Sequence, residues 1–246
     1  DSYPVGIFNL YGETGLLDMP TAEFNPDGEI AAGASFTPTM DRYSLDFTAL
    51  PWLEATFRYS RIDRWNNLFG TGGDLYDRSL GFKVRLSQEG EYWPAIAVGA
   101  QDILGTGAFG AEYLVASKHI GDFDVTAGLG WRRFGDGPIT FPNPLGYIFP
   151  SFKARTGFEG TGVPLLNQFF HGPNVGVIGG VSWQTPIEGL QLIAELSGDD
   201  FTRETKVGSI SVKSPFNFGF SYEPFSGIQI VGGYLYGTQF GVRVTF

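Results

Sequence analysis

A strict alternation of side-chain character over short stretches is the feature that most constrains this chain. In residues 240–246, large apolar residues alternate with glycine, arginine and threonine. Successive side chains of a β-strand point to opposite faces, so this stretch predicts a strand with one wholly apolar face. The apolar set ends on an aromatic residue, which is the form of the closing strand of an outer-membrane β-barrel. We therefore predict a C-terminal assembly signal made of Phe240, Val242, Val244 and Phe246.

The same period of two recurs along the whole chain. Residues 216–222 show it most clearly, because Asn217, Gly219 and Ser221 separate four aromatic residues. Such stretches predict twelve strands, an even number, as in single-chain bacterial barrels. The predicted spans are 29–38, 41–49, 52–61, 77–87, 93–102, 109–118, 122–132, 174–184, 188–198, 214–223, 227–237 and 238–246.

The connections between these strands also favour a membrane barrel. Short connections (50–51, 88–92, 119–121, 185–187 and 224–226) fall at one end of the strands, and the long ones (62–76, 133–173 and 199–213) all fall at the other end. This is the arrangement of a barrel whose termini are periplasmic. The predicted fold class is all-β, a transmembrane antiparallel β-barrel of about 12 strands.

Hydropathy and aromatic placement agree with this interpretation. A transmembrane helix is excluded, since the chain has no apolar run of 18 residues. Alternating faces average to a mean hydropathy near zero, here -0.03. In a soluble β-sandwich the polar parity would carry many Lys and Glu, whereas here it carries mainly Gly, Ser and Thr. We expect two interfacial aromatic belts, an outer one of Tyr43, Tyr59, Trp131, Tyr234, Tyr236 and Phe240 and a periplasmic one of Trp183, Tyr222 and Phe246.

Charge and composition bound the partners and the compartment. A net charge of -10 disfavours a nucleic-acid partner, since phosphate binding needs a basic face. The absence of Cys excludes disulfides and thiolate metal sites and suits an oxidising periplasm. The sequence starts at Asp1 without a basic and apolar leader, which indicates a mature form whose signal peptide has been removed. The expected location is the outer membrane of a Gram-negative bacterium.

Charged residues on the lumen parity predict a polar interior. They are Asp46, Glu54, Arg58, Lys83, Arg85, Asp124, Arg132, Glu195 and Arg243. A twelve-stranded barrel is narrow, so we expect these charges to pair mainly with one another in a nearly closed lumen. A selective pore is the alternative.

Two segments outside the strands are candidates for function. Residues 1–28 are too apolar for a free tail and are interpreted as a plug or a periplasmic docking segment that precedes the barrel of residues 29–246. The connection 133–173 is far longer than usual and rich in aromatic residues: Phe134, Phe141, Tyr147, Phe149, Phe152, Phe158, Phe169 and Phe170. These residues could form a self-packed lid, fold inward and occlude the barrel, contact a partner protein, or stack on sugar rings.

Catalysis has little support in the sequence. His119 and His171 are the only histidines. Ser117 and His119 share a parity, but they lie at a strand end without a third orienting group. Two distant histidines do not predict a metal site. The chain is therefore expected to be a non-enzyme without metal or cofactor.

Five segments of the sequence, taken in order, carry a family resemblance: Gly12-Glu-Thr-Gly-Leu-Leu-Asp-Met-Pro-Thr-Ala22, Leu50-Pro-Trp-Leu-Glu-Ala-Thr-Phe-Arg-Tyr59, Glu112-Tyr-Leu-Val-Ala-Ser-Lys118, Gly121-Asp-Phe-Asp-Val-Thr-Ala-Gly-Leu-Gly-Trp131 and Phe169-Phe-His-Gly-Pro173. They resemble the YjbH family of outer-membrane proteins associated with exopolysaccharide production. The resemblance implies an outer-membrane barrel encoded with polysaccharide or capsule secretion components, and it carries over no catalytic residues. Members of the family are typically much longer, which indicates a short, single-barrel relative.

These observations lead to one leading hypothesis for the function. It is a non-enzymatic barrel accessory to exopolysaccharide export or surface organisation. A structural barrel docked onto a larger envelope complex and a narrow small-solute porin are the alternatives. The expected partners are outer-membrane lipid and lipopolysaccharide, the barrel-assembly machinery, and polysaccharide-export components or another envelope complex.

Overall fold

The structure of the protein, a computed structural model, describes residues 6–155 and 166–246. Within these ranges the chain forms thirteen strands and two short α-helices. The strands are β1 (Ile30–Phe36), β2 (Met40–Leu50), β3 (Leu53–Ile62), β4 (Leu75–Ser87), β5 (Ala95–Leu104), β6 (Ala111–Ile120), β7 (Phe123–Arg132), β8 (Thr140–Pro142), β9 (Asn174–Gln184), β10 (Leu190–Leu196), β11 (Phe216–Phe225), β12 (Ile228–Leu235) and β13 (Gln239–Thr245). The α-helices are α1 (Leu145–Ile148) and α2 (Thr202–Lys206), and 3-10 turns cover Trp65–Phe69, Arg133–Gly135, Pro150–Lys153 and Leu166–Gln168.

Twelve of these strands form a closed antiparallel barrel. Each pairs with its neighbours in chain order, β9 follows β7, and β13 pairs back onto β1, where Gly33 lies opposite Thr245. The three-residue β8 pairs with the start of β9 and lies outside the twelve. The predicted fold class is confirmed, and each predicted strand begins and ends within two residues of its position in the structure.

The alternation in the sequence becomes an inside–outside division of the wall. In β13, Arg243 is fully buried, whereas Phe240 is 72% exposed and Phe246 is 66% exposed. In β11, Asn217 and Ser221 are buried and the aromatic residues between them are exposed. The polar parity therefore faces the interior and the apolar parity faces outward, as expected of a barrel surrounded by lipid.

The connections divide the barrel into two rims. The long connections, with the 3-10 turn at Trp65–Phe69, with β8 and α1, and with α2, all lie at one end, which we call the long-loop rim. The connections at the other end are short, and we call that end the short-turn rim. Among the described residues, no helix has the length and apolarity needed to cross a bilayer.

Two residues predicted for the outer aromatic belt do not face lipid. Tyr236 is 2% exposed, and its hydroxyl group donates a hydrogen bond to the carboxylate of Asp18 in the interior. Its backbone has φ +57, beyond the end of β12, so the strand alternation no longer sets its direction. Trp131 keeps the outward parity but is 4% exposed, because the ring of Phe170 packs against it at 5.0 Å.

Residues 6–25, which we call the inner segment, lie inside the barrel. Leu10 and Leu17 are completely buried, and they join residues of the wall in a buried apolar cluster. Hydrogen bonds at both ends of the segment reach the wall: Phe8 N–H donates to Gln229 at 2.8 Å, and Ala22 N–H donates to Ser117 at 2.9 Å. The segment thus fills space that glycines of the wall leave open, such as Gly219 and Gly233, which lie against Leu17.

Candidate functional site

The centre of the interior is a carboxylate that holds a turn of the inner segment. One oxygen of Glu195 accepts hydrogen bonds from the successive N–H groups of Leu17, Asp18 and Met19, at 2.8, 2.9 and 2.9 Å. Its other oxygen accepts from the amide of Asn217 at 2.8 Å. Successive backbone N–H groups that converge on one oxygen form an anion-binding nest. Glu195 thereby fixes the family segment 12–22 to the wall.

A second carboxylate binds the inner segment one turn earlier. Glu54 accepts from the Thr14 N–H at 3.0 Å and from the Thr14 hydroxyl at 2.6 Å. Lys83 pairs with Glu54 at 3.1 Å, and both side chains are 1% exposed. The ammonium group of Lys83 also donates to the carbonyl oxygen of Thr14 at 3.2 Å. A threonine of the segment is therefore coupled to an ion pair of the wall.

Arginines of the wall surround an aromatic ring of the inner segment. The guanidinium groups of Arg42 and Arg58 lie 4.2 and 4.9 Å from the centre of the Tyr11 ring. Arg243 donates to the hydroxyl of Ser44 at 2.8 Å, and a side chain at Gly33 would overlap its guanidinium group. Sequence reasoning missed Arg42, although it shares the parity of Asp46 in the same strand.

The interpretation that the lumen charges mainly pair with one another is wrong. Of the nine predicted residues, only Glu54 and Lys83 form an ion pair with each other within the part of the chain that the structure describes. Asp46 accepts from the Thr56 hydroxyl at 2.6 Å. The physical reason is the inner segment, which supplies backbone donors and aromatic faces where opposite charges were expected.

Three of the nine predicted residues lie at the rims. Arg85 lies over the ring of Phe24 at 4.3 Å, at the short-turn rim. Asp124 is at the same rim, and Arg132 lies at the long-loop rim, where it donates to the carbonyl oxygen of Gly107 at 3.1 Å.

The short-turn rim contains a cavity of about 340 Å³ beside the inner segment. His119 and Asp124 line it, and the carboxylate lies 2.6 Å from Nδ1 of the imidazole. The expectation that His119 has no orienting group is wrong, because the two residues are direct partners across the β6–β7 hairpin. Ser117 does not complete a nucleophilic site in this arrangement: its hydroxyl accepts from Ala22 N–H and is bonded to Thr126 at 2.7 Å.

The aromatic residues of the 133–173 connection have three different positions. Phe134 is 1% exposed and packs on Tyr113 in the interior, so it is not available to a partner or a glycan. Phe152 stacks on His171 at 4.0 Å. Three others are exposed on the long-loop rim: Phe141, Tyr147 and Phe149. Phe158 lies outside the described residues.

The remaining pair, Phe169 and Phe170, lies against the outer face of the barrel. Phe169 stacks on Phe82 of β4 at 6.3 Å, and Phe170 packs on Trp131 of β7. Between them, in the same row across the strands, is the outward-facing Glu112 of β6. Glu112 lies opposite Ala100 on one side and Trp131 on the other, and Ala100 in turn lies opposite Phe82.

Glu112 is an acidic residue on the lipid parity, and sequence reasoning missed it. Arg155 of the 133–173 connection pairs with it at 2.6 Å, and Phe170 N–H donates to its other oxygen at 3.3 Å. Glu112 is 1% exposed as a result. The connection thus covers a charge that would otherwise face lipid.

A larger cavity, of about 590 Å³, opens at the long-loop rim. Its floor is Arg133, which pairs with Asp199 at 2.7 Å and with Glu204 at 2.9 Å. Burial raises the pKa of Asp199 to about 7, although the nearby Arg133 opposes the shift. A pocket of this volume is in the range that binds small ligands.

Two further predictions concern the C-terminal assembly signal and metal binding. Phe240, Val242 and Phe246 face outward on β13 and beyond it. Their role as an assembly signal stays a prediction. Among the described residues, no group of three or more His, Asp and Glu side chains is arranged to hold a metal ion.

Fold and interior together define a class: a transmembrane β-barrel whose lumen contains a segment of its own chain. The model of the family described as exopolysaccharide biosynthesis protein matches residues 8–246. The chain therefore belongs to the YjbH family. The uncharacterized lipoprotein YjbH of Escherichia coli strain K12 is 36% identical over 96% of this chain. The match covers 34% of that protein, so the chain spans about a third of the length of its curated relative.

Solved structures with a similar architecture are only distantly related in sequence. The KdgM porin in complex with disordered oligogalacturonate has a TM-score of 0.45 and 10% identity, with 88% of this chain and 95% of that chain covered. The NanC porin has a TM-score of 0.43 and 8% identity, with 88% and 98% covered. Outer membrane phospholipase A from Escherichia coli has a TM-score of 0.34 and 9% identity, with 88% and 91% covered.

Proposed function

We propose that this chain is a non-enzymatic outer-membrane β-barrel that is accessory to exopolysaccharide export or surface organisation. Membership of the YjbH family supports the link to exopolysaccharide. The outward apolar wall supports insertion into a membrane, and the long-loop rim then faces the exterior, because such barrels have short periplasmic turns. Outer-membrane lipid, lipopolysaccharide, the barrel-assembly machinery and polysaccharide-export components are the partners that this proposal implies.

The observation that carries the accessory role is the occupied interior. A conduit for polysaccharide or for small solutes needs an open path along the barrel axis. Here Glu195, Glu54 and Gln229 each hold a different part of the inner segment by hydrogen bonds. Removal of the segment would deprive these buried groups of the hydrogen bonds that it supplies, which is energetically unfavourable. We therefore propose that the inner segment is a resident plug and that polysaccharide passes elsewhere.

The absence of enzymatic activity is part of the same proposal. The hydroxyl of Ser117 is engaged by the inner segment and by Thr126, so it is not presented to a substrate. His119 and Asp124 line the short-turn rim without a neighbouring nucleophile that the structure describes as accessible. An Asp–His pair without a presented nucleophile lacks one member of a hydrolytic triad.

Deletion of the gene and complementation with the intact chain would test the accessory role. We expect less surface exopolysaccharide in the deletion strain, with an unchanged profile of other outer-membrane proteins. The purified chain in planar bilayers should show no steady conductance, whereas a variant that lacks residues 6–25 should conduct. Steady conductance of the intact chain would instead support the porin alternative. Normal exopolysaccharide after deletion would contradict the accessory role.

A second candidate is a structural barrel docked onto a larger envelope complex, and exposed aromatic residues at the short-turn rim favour it. Tyr92 and Trp93, in the turn between β4 and β5, are 83% and 75% exposed. Aromatic residues at such a position suit either the membrane interface or a protein partner. Replacement of both by Ser should abolish co-purification of a stoichiometric complex in mild detergent if the turn is a docking site. Membrane insertion without such a complex in the wild type would exclude this candidate.

A further inference from the structure

We propose that the cavity at the long-loop rim binds an acidic saccharide through the carboxylate groups of its sugar rings. This inference rests on the proposed function and gives it a ligand class. The cavity is lined by residues of the connections at the long-loop rim. Its floor, Arg133, stacks on Phe109 at 5.2 Å and on Phe201 at 5.1 Å. Both rings belong to the buried cluster that packs on the inner segment.

The cavity reverses the charge balance of the protein. The whole chain has 16 Lys and Arg against 26 Asp and Glu. Five of the cationic side chains line this cavity, against three carboxylates. They come from the end of β7 and from the connections after β7 and β10, which are far apart in sequence and meet at this rim. A concentration of cations in one cleft of an acidic protein raises the local concentration of anionic ligands.

The cationic groups are of two kinds, fixed and available. Arg133 is held by two acidic side chains and by the carbonyl oxygen of Ala108 at 2.9 Å, so its orientation is set before any ligand binds. Arg203 and Lys206, on α2, are exposed and form no ion pair with any residue that the structure describes. Guanidinium groups bind carboxylates by paired, charge-assisted hydrogen bonds. Arg203 is therefore the first candidate for a ligand carboxylate, with Lys206 one turn away.

The remaining lining favours a sugar over a compact anion. Asp136 and Asp200 face the cavity together with Asn174 and Thr140. Carboxylates repel a phosphate, but they accept hydrogen bonds from sugar hydroxyl groups. His171, which is backed by Phe152, adds an aromatic surface at the edge. A saccharide that carries both hydroxyl and carboxylate groups satisfies the cations and the anions of this cavity together.

Calorimetric titration of the purified full chain in neutral detergent, with a galacturonic acid trisaccharide as the probe, would test this assignment. The methyl ester of the same trisaccharide is the matched ligand, since it keeps the rings and removes the charge. The variant is R203Q/K206Q, at two exposed positions. The control is K153Q/K213Q, which removes the same charge at exposed positions outside the cavity.

We expect the acid to bind at least about tenfold more tightly than the ester, and more weakly when sodium chloride is raised from about 50 mM to about 500 mM. R203Q/K206Q should weaken binding by about tenfold or more, and K153Q/K213Q by less than about twofold. Equal binding of acid and ester, or an unaffected R203Q/K206Q variant, would overturn the proposal. The proposal would also be overturned if the cavity bound the bisphosphorylated disaccharide of lipid A through Arg203 and Lys206 but did not bind the galacturonate. The titrations test the ligand of the cavity, and the gene deletion tests the accessory role. Either experiment can therefore fail while the other succeeds.

Discussion

Two buried glutamates of the barrel wall hold added segments of the chain on opposite sides of it. Glu195 faces the interior and binds a turn of the inner segment through three backbone N–H groups. Glu112 faces outward and is covered by the 133–173 connection, which supplies Arg155 and one N–H. Both side chains are 1% exposed.

The difference between them lies in what neutralises each charge. On the interior side, a nest of backbone dipoles and one amide group is sufficient for Glu195. On the outer side, where the surroundings are apolar, Glu112 has a cation as partner, because an unpaired carboxylate in hydrocarbon is very costly. The same residue type therefore anchors a segment by neutral donors on one face of the wall and by an ion pair on the other face.

The interior anchor should give the largest effect. Glu195→Leu leaves three buried N–H groups and an amide without an acceptor, at about 1 kcal/mol or more for each. We expect a loss of about 4 kcal/mol in the free energy of unfolding by urea in lipid vesicles, and protease cleavage within residues 6–25. Glu195→Gln keeps one acceptor oxygen and should cost about 1 kcal/mol. Equal costs for the two variants would show that the nest does not hold the segment.

The outer anchor should give the next largest effect. Arg155→Leu leaves Glu112 buried without its ion pair, and we expect a loss of about 2 kcal/mol. Protease cleavage of the 133–173 connection should become faster. The double variant Glu112→Leu/Arg155→Leu should recover part of the loss, because no buried charge remains. Lys153→Leu is the control, since Lys153 is exposed on the same connection. A double variant less stable than Arg155→Leu would contradict the role given to this pair.

The acid in the long-loop cavity should make stability depend on pH. Because the pKa of Asp199 is raised to about 7 in the folded protein, its protonated form favours folding. This contribution to stability is complete at a pH below the ordinary pKa of Asp in the unfolded chain, and it is lost as the pH rises through 7. Between pH 6 and pH 8, the free energy of unfolding should fall by about 1 kcal/mol more in the wild type than in Asp199→Asn. Identical pH profiles would mean that Asp199 titrates normally.

The aromatic contacts on the outer wall should give the smallest effect. Phe169→Leu removes the stack on Phe82, which is worth about 0.5–1 kcal/mol. Tyr147→Leu is the control, because Tyr147 is 74% exposed. Urea unfolding in vesicles, followed with both variants, should separate the two. If Tyr147→Leu cost as much as Phe169→Leu, the covering of the outer wall would have no energetic basis.

The barrel itself could be predicted from the sequence because its signal is local. A period of two within ten residues identifies a strand and both of its faces, and hairpin connections order the strands along the chain. The contact between His119 and Asp124 could also have been predicted from the sequence, since both residues flank one tight turn and face each other across it. The interior position of Arg42 could have been predicted too, because Arg42 has the same parity as Asp46 in one strand.

The contacts of the added segments could not be predicted in the same way. Glu195 meets Leu17 across 178 positions of sequence, and Arg155 meets Glu112 across 43. No local pattern encodes such distances. Tyr236 was assigned to the wrong face because a single left-handed residue ends the alternation of β12. Period-two reasoning therefore describes the wall of this barrel, and fails for what packs on either side of it.

The position of the inner segment also has a consequence for the order of folding. The segment precedes every strand of the barrel, yet Phe8 bonds to Gln229 across 221 positions and Asp18 to Tyr236 across 218. Contacts of this separation form late, because a long loop must be closed first. Until β12 has joined the barrel, residues 6–25 lack these partners and expose apolar surface. The unfolded protein therefore needs protection of residues 6–25 from premature apolar contacts until the last strands of the barrel have paired.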